Sequence, residues 1–176
     1  MTIHDSHPFE PPPEDRDPVR RFRGRFATGV TLWTSGHGVE RAGLTVTSLM
    51  VAGGEPARVL ALLDPESDLL ESLQGTGTGV VHVLAWRHRQ LAEMFAGSSP
   101  APGGQFQQAR FEDTAWGPAL VDAPARCGVH LEAEREVGWS VEVTCTVEEV
   151  VLGAEDEPLV HHRGRWRQVP TGRSGA

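Results

Sequence analysis

The sequence predicts a mainly β, antiparallel protein with a few short helices, and three kinds of observation predict it. Short runs of apolar and β-branched residues recur along the whole chain, parted by turns rich in Gly or Pro; such residues fit a pleated surface and such turns reverse it. Within the longer runs the alternation is that of a strand with one buried face, as in Val141, Val143, Cys145 and Val147. Helical spacing, by contrast, is confined to brief stretches such as Val19, Phe22 and Phe26.

Length and charge bound the function. A chain of 176 residues can bury a real core as one domain, here expected over residues 18–169 between two disordered tails. A net charge of −8 argues against nucleic acid or an anionic membrane as partner, because both demand a basic surface. No apolar run has the length of a membrane span, and the N-terminus lacks the apolar core of a signal peptide. Cys127 and Cys145 are not in a C-x-x-C spacing and lie in strand-like segments, so free thiols in a reducing cytoplasm are expected.

Residues 1–17 are acidic and proline-dense and read as a disordered tail, since they cannot bury enough apolar surface to offset their ordering entropy. His4 and His7 within it are incidental rather than metal ligands. Asp17 as N-cap and Pro18 at the first helical position predict a short helix. Its Arg20, Arg21 and Arg23, with Arg25 beyond, either face an anionic ligand or partner, or form a solvated face over a packed aromatic stripe.

From Arg25 to Met50 the chain reads as a β-hairpin with Ser35, Gly36, His37 and Gly38 at its tip. The second strand carries Thr45, Thr47 and Ser48 directly after Gly43. Those hydroxyls either line a polar ligand, with Gly43 letting it approach the backbone, or form a solvated strand face. Val59 to Leu63 is a strand expected to be buried on both faces. It enters D-P-E-S-D-L-L, a turn and a helix whose start is marked by Asp64 and Pro65. Gly79 to Leu84 returns as a buried strand in which His82 reads as a hydrogen-bonded core residue. Trp86 to Phe95 is an amphipathic helix with Leu91, Met94 and Phe95 inward and Gly97 as its cap. A Ser-Pro-Gly loop leads to Phe106. Strands follow at Ala119–Asp122, Cys127–Glu136 and Trp139–Leu152, with a turn at Val137–Gly138. A last hairpin, Pro158 to Val169, turns at Arg163–Gly164. His161 and His162 are adjacent, so they point to opposite faces and do not readily ligate one metal; no metal site is expected. Residues 170–176 read as a frayed tail.

There is no H-E-x-x-H, G-x-S-x-G, P-loop or Rossmann fingerprint, so hydrolase and nucleotidyl chemistry lack a basis in the sequence. The phrases F-A-T-G-V-T (Phe26 to Thr31) and G-L-T-V-T-S (Gly43 to Ser48) instead resemble the flavin reductase family. These are FMN-binding split β-barrel proteins, Greek-key antiparallel barrels that supply reduced flavin to two-component monooxygenases. L-A-L-L-D-P-E-S, V-V-H-V-L, L-A-E-M-F-A-G and P-L-V-H-H-R-G-R-W-R follow in the family's order, so the resemblance covers roughly residues 18–169.

The resemblance implies binding of FMN (or FAD), reduction by NADH or NADPH, a homodimer, and a flavin-dependent monooxygenase as partner. By it, Gly43, Thr45, Val46, Thr47 and Ser48 contact the isoalloxazine or ribityl portion, Ser67 the phosphate end, and Phe106 the pocket wall. Three positions depart from the family pattern. Asp68 and Leu69 stand where a basic residue and Thr usually meet the phosphate, and with Glu66 they put two carboxylates there. Gln105 replaces the basic residue before Phe106. Gly138-Trp139-Ser140 replaces G-D-H, whose His lies near the nicotinamide. These departures support a second reading: a barrel that has lost flavin reduction and acts as an accessory subunit, or binds an apolar aromatic molecule among Trp139, Phe106 and His82. Haem ligation by His82, His161 or His162 is a third reading without a motif.

Overall fold

A computed structural model describes residues 17–169; the predicted tails, with His4 and His7, lie outside the described residues apart from Asp17. Helix α1 (Pro18–Arg23) starts as predicted, with the Asp17 carboxylate accepting from the Val19 N–H at 2.9 Å. Its aromatic stripe is not packed. Val19, Phe22 and Phe26 are 70%, 64% and 54% exposed, and the two rings stack edge to face on each other at 5.1 Å. The reason is length: a helix of 6 residues buries none of them.

The strands are β1 (Thr28–Gly29), β2 (Thr31–Ser35), β3 (Ala42–Val46), β4 (Met50–Ala52), β5 (Arg58–Leu63), β6 (Thr78–Val83), β7 (Phe111–Thr114), β8 (Gly117–Leu120), β9 (Ala125–Val137), β10 (Ser140–Leu152), β11 (Leu159–His162) and β12 (Arg165–Gln168). Between them lie α2 (Asp68–Thr76) and α3 (Arg89–Phe95). Seven strands form one antiparallel sheet in the order β3-β2-β6-β9-β10-β5-β4. A second sheet, β1-β11-β12, joins the two ends of the chain, and β7 pairs with β8. The non-sequential neighbours show that the chain crosses over rather than running as a meander.

Two cores result. One gathers Val59, Ala61 and Leu63 of β5, Val143 and Cys145 of β10, and Leu69, Leu70 and Leu73 of α2. The other packs Phe95 and Ala92 of α3 against Leu32, Leu84, Leu120 and Leu159. Ala92, not Met94, completes the inner face of α3, for Met94 is only half-buried. β5 is buried on one face only, since Leu62 is 43% exposed; strand alternation turns Leu62 away from the core that holds its neighbours. Helix α2 begins three residues later than Asp64 and Pro65 suggest. Ser67 is its N-cap, accepting from the Leu70 N–H at 3.3 Å and donating to the Asp64 carbonyl at 2.8 Å.

Cys127 and Cys145 are free thiols, as expected, and burial pushes them up to about 11 and about 12. His82 is fully buried. Its Nε2 accepts from the Leu120 N–H at 3.0 Å, so Nδ1 carries the proton and donates to the Leu32 carbonyl at 2.8 Å. Burial first, then the nearby Arg126 and His88, hold this imidazole neutral, at about 4. It is the core histidine the sequence predicts. Among the described residues no helix is long and apolar enough to cross a membrane.

Candidate functional site

One large groove, of about 1790 Å³, crosses the face where β3 ends. Its floor is the chain from Leu44 to Ser48 together with the outward Leu62 of β5. One side is the turn Asp64, Pro65 and Glu66 that precedes α2, with Trp139 projecting from the β9–β10 hairpin. Trp139 is 95% exposed, because the tip is a two-residue turn with Gly138 at φ +59° and nothing packs over it.

The other side is cationic. Arg20, Arg21, Arg23 and Arg25 come from α1 and the turn after it, and Arg163 and Arg165 from the β11–β12 hairpin. A backbone bond from the Arg163 N–H to the Gly24 carbonyl, 3.0 Å long, ties the hairpin tip to the end of α1. The β1–β11 pairing, Thr28 opposite His161, continues the join. His161 also lines the groove, and burial, with Arg23 and His162 nearby, holds it below its ordinary value. Six arginines and two carboxylate residues thus line one groove, in a chain whose net charge is −8. The arrangement suits a planar ligand lying on the β3 backbone with an anionic end toward the arginines.

The hydroxyls of the G-L-T-V-T-S segment divide sharply. β3 stops at Val46, so Thr47 and Ser48 lie in the bend beyond it. Thr45 donates to the Ala92 carbonyl of α3 at 2.7 Å. Ser48 exchanges two bonds with Leu62, donating to its carbonyl at 2.9 Å and accepting from its N–H at 3.0 Å. It thereby replaces a ladder partner. Thr47 alone of the three makes no hydrogen bond among the described residues, and it lines the groove. Val46 is 3% exposed and packs into the core, although it is also among the residues lining the groove.

Three expected site residues lie elsewhere. Gly43 does not line the groove. A Cβ there would stand 2.6 Å from Phe95 Cε1 and 2.8 Å from Cδ1, so the glycine admits the ring of α3 rather than a ligand. Ser67 also lies outside the lining and serves as the cap of α2. Phe106 packs on Phe95 and Phe111, at 5.2 and 5.0 Å between ring centroids, with Arg41 4.9 Å above it. The apolar pocket of Trp139, Phe106 and His82 therefore does not form: Trp139 is in the groove, Phe106 in the second core and His82 under the sheet.

Comparison with known proteins agrees with this architecture. The family described as flavin reductase like domain matches residues 23–170. The chain belongs to the flavin reductase family. Among its relatives is the reductase component of 4-hydroxyphenylacetate 3-monooxygenase from Thermus thermophilus, 32% identical over 154 residues, 88% of this chain and 97% of that protein. An FMN reductase (NADH), RutF 1 of Methylorubrum extorquens, is 28% identical over 92% of this chain and 81% of its own. The NADH:FAD oxidoreductase SgcE6 of Streptomyces globisporus, solved with NAD and FAD fragments, superposes with a TM-score of 0.81 at 25% identity, covering 93% of this chain and 98% of that one. The fold is thus the split β-barrel that the motifs imply.

Within this flavin reductase framework the departures acquire physical meaning. Leu69, at the place of the family's Thr, is 1% exposed and packs in the first core; the side chain there is structural. Asp68 is exposed on the first turn of α2, outside the groove, where a carboxylate complements the helix dipole. Glu66 is the carboxylate that lines the groove, with Asp64. Arg25, one of the four arginines read in the sequence as facing an anionic ligand or solvent, lines the groove. Arg163 and Arg165 escape sequence reading, because only the β1–β11 pairing brings the last hairpin beside α1. The available signal was Arg-Gly at a turn that asks for positive φ at both positions, 53° and 74°.

Proposed function

We propose that this chain is the reductase component of a two-component system: it binds FMN or FAD in the groove, reduces it with NADH or NADPH, and passes it to a flavin-dependent monooxygenase. The observation that carries this reading is the groove itself. It presents the unpartnered Thr47 hydroxyl and the backbone of residues 44–48 beside a wall of arginines, which suits the polar edge of an isoalloxazine and the phosphate beyond it. At about 1790 Å³ it exceeds the roughly 300–1,000 Å³ of a single-ligand pocket, leaving room for a second planar ring.

The cofactors supply the redox chemistry, a hydride from the reduced nicotinamide ring to the flavin. The chain's own task is to hold two rings face to face and keep competing reactants out. The floor residues 44–48 position one ring from below. Thr47 donates to or accepts from its polar edge. Trp139, exposed in the groove lining, would offer an aromatic face on which a second ring could stack. No acid–base pair is needed at the groove.

The working form is a homodimer in the cytoplasm. Met50, Val51, Val150 and Leu152, 64%, 68%, 60% and 78% exposed, leave apolar surface at the β4 edge and the end of β10 that a second copy would cover. The deciding experiment is a titration of the purified protein with FMN and FAD, followed by NADH or NADPH without oxygen. Saturable binding with loss of the flavin's visible absorption is expected. Binding without reduction would leave a flavoprotein with another electron donor, and no binding would overturn the proposal.

A further inference from the structure

Carboxylates and arginines enter the groove lining from different chain segments, and this bears on how a flavin would lie in it. The turn before α2, at Asp64 and Glu66, lines the groove with carboxylates, and Asp68 follows on the helix. Like charge at close range disfavours a phosphate dianion there. The arginine segments of the lining have the chemistry a phosphate selects: guanidinium forks that bind its oxygens two at a time.

The geometry of that side is built rather than incidental. Arg163 holds φ +53°, the only positive value at a non-glycine position among the described residues, where Asn or Gly is the ordinary occupant. Arg163 stands at the hairpin tip and lines the groove. The same residue's N–H bonds the Gly24 carbonyl at 3.0 Å, so Arg163 is clamped to the backbone immediately preceding Arg25. Two chain segments remote in sequence are thus joined through their backbones, and Arg23, Arg25, Arg163 and Arg165 all line the groove.

Resting on the flavin reading above, we infer that the flavin phosphate is held by Arg25 and Arg163 on the wall of α1 and the β11–β12 hairpin, and not at the Ser67 turn. The ring system then lies across residues 44–48 with its phosphate directed away from α2.

The test compares FMN with riboflavin, which shares the ring and lacks the phosphate, on the full chain. The wild type is expected to bind FMN at least tenfold tighter than riboflavin. Arg25→Gln and Arg163→Asn, the latter tolerant of positive φ, should each weaken FMN about tenfold and leave riboflavin within about twofold, while Arg25→Lys recovers part of the loss. Unchanged thermal midpoints confirm that these exposed positions do not affect folding. The inference is overturned if the variants weaken both flavins in parallel, if the wild type does not distinguish the two, or if Asp68→Arg tightens FMN tenfold without affecting riboflavin, which would put the phosphate at the Ser67 turn. Binding of riboflavin with no preference for FMN overturns the inference alone; binding of neither overturns the flavin reading with it.

Discussion

Replacing Gly43 by Ala separates two roles that the sequence leaves open, packing and ligand approach. The added Cβ would meet the Phe95 ring at 2.6 and 2.8 Å and the Trp33 carbonyl at 3.3 Å. Phe95 cannot simply retreat, for it is 1% exposed and its far side is closed by Phe106 at 5.2 Å and Phe111 at 6.1 Å between centroids. Overpacking of this kind costs roughly 1–3 kcal/mol, and losing the glycine's freedom in the unfolded chain returns about 0.5–1 kcal/mol. A net loss of about 1–2 kcal/mol is expected, which for a chain of this size lowers Tm by roughly 2–8 °C. Urea denaturation reads it as a lower midpoint at unchanged slope. In a Phe95→Ala background the ring is gone, and the same substitution should cost under about 0.5 kcal/mol, a coupling that a double-mutant cycle measures directly. If Gly43→Ala leaves the midpoint unmoved and instead weakens flavin binding, the packing account is wrong and the glycine serves the ligand.

Three further outcomes are expected. Thr47→Val removes the one hydroxyl of its segment with no partner among the described residues and should weaken FMN by about 1 kcal/mol, seen by titration, with no change in Tm; equal affinities would place the ring elsewhere. Ser48→Ala deletes both bonds to Leu62 and should lower stability by about 1–2 kcal/mol; a midpoint within error of the wild type would mean that water replaces the hydroxyl. His82, at about 4 in the fold against about 6.5 unfolded, binds its proton more readily when unfolded. Its depressed value therefore leaves stability unaffected above about pH 6.5 and lowers it as pH falls toward 4, by about 3 kcal/mol at that point. Melting curves between pH 7.5 and 4.5 should show this slope, and His82→Asn should flatten it; an equal slope in both would assign the effect to other groups.

The strands were legible in the sequence because alternation is a local property. Val141, Val143, Cys145 and Val147 announce one face of β10 whatever it pairs with, and Asp17-Pro18 and Gly97 mark helix ends by backbone chemistry alone. The family was legible for a related reason: ordered motifs survive where the backbone geometry they encode survives. The role of His82 was also readable, since a histidine inside an apolar strand has few alternatives to being buried and bonded.

What the tertiary structure alone decided is which of the marked residues meet. Gly43, Ser67 and Phe106 belong to recognisable motifs, yet each is turned to packing or capping: Ser67 by its local bonds to Asp64 and Leu70, Gly43 by the Phe95 ring that only the fold brings over it, and Phe106 by its place in an aromatic cluster. The arginines of α1 gain their meaning only when β1 pairs with β11 and brings Arg163 and Arg165 to the same wall. Charge counted along a chain says nothing about where it converges. Long-range pairing between β1 and β11 brought the α1 segment and the last hairpin together.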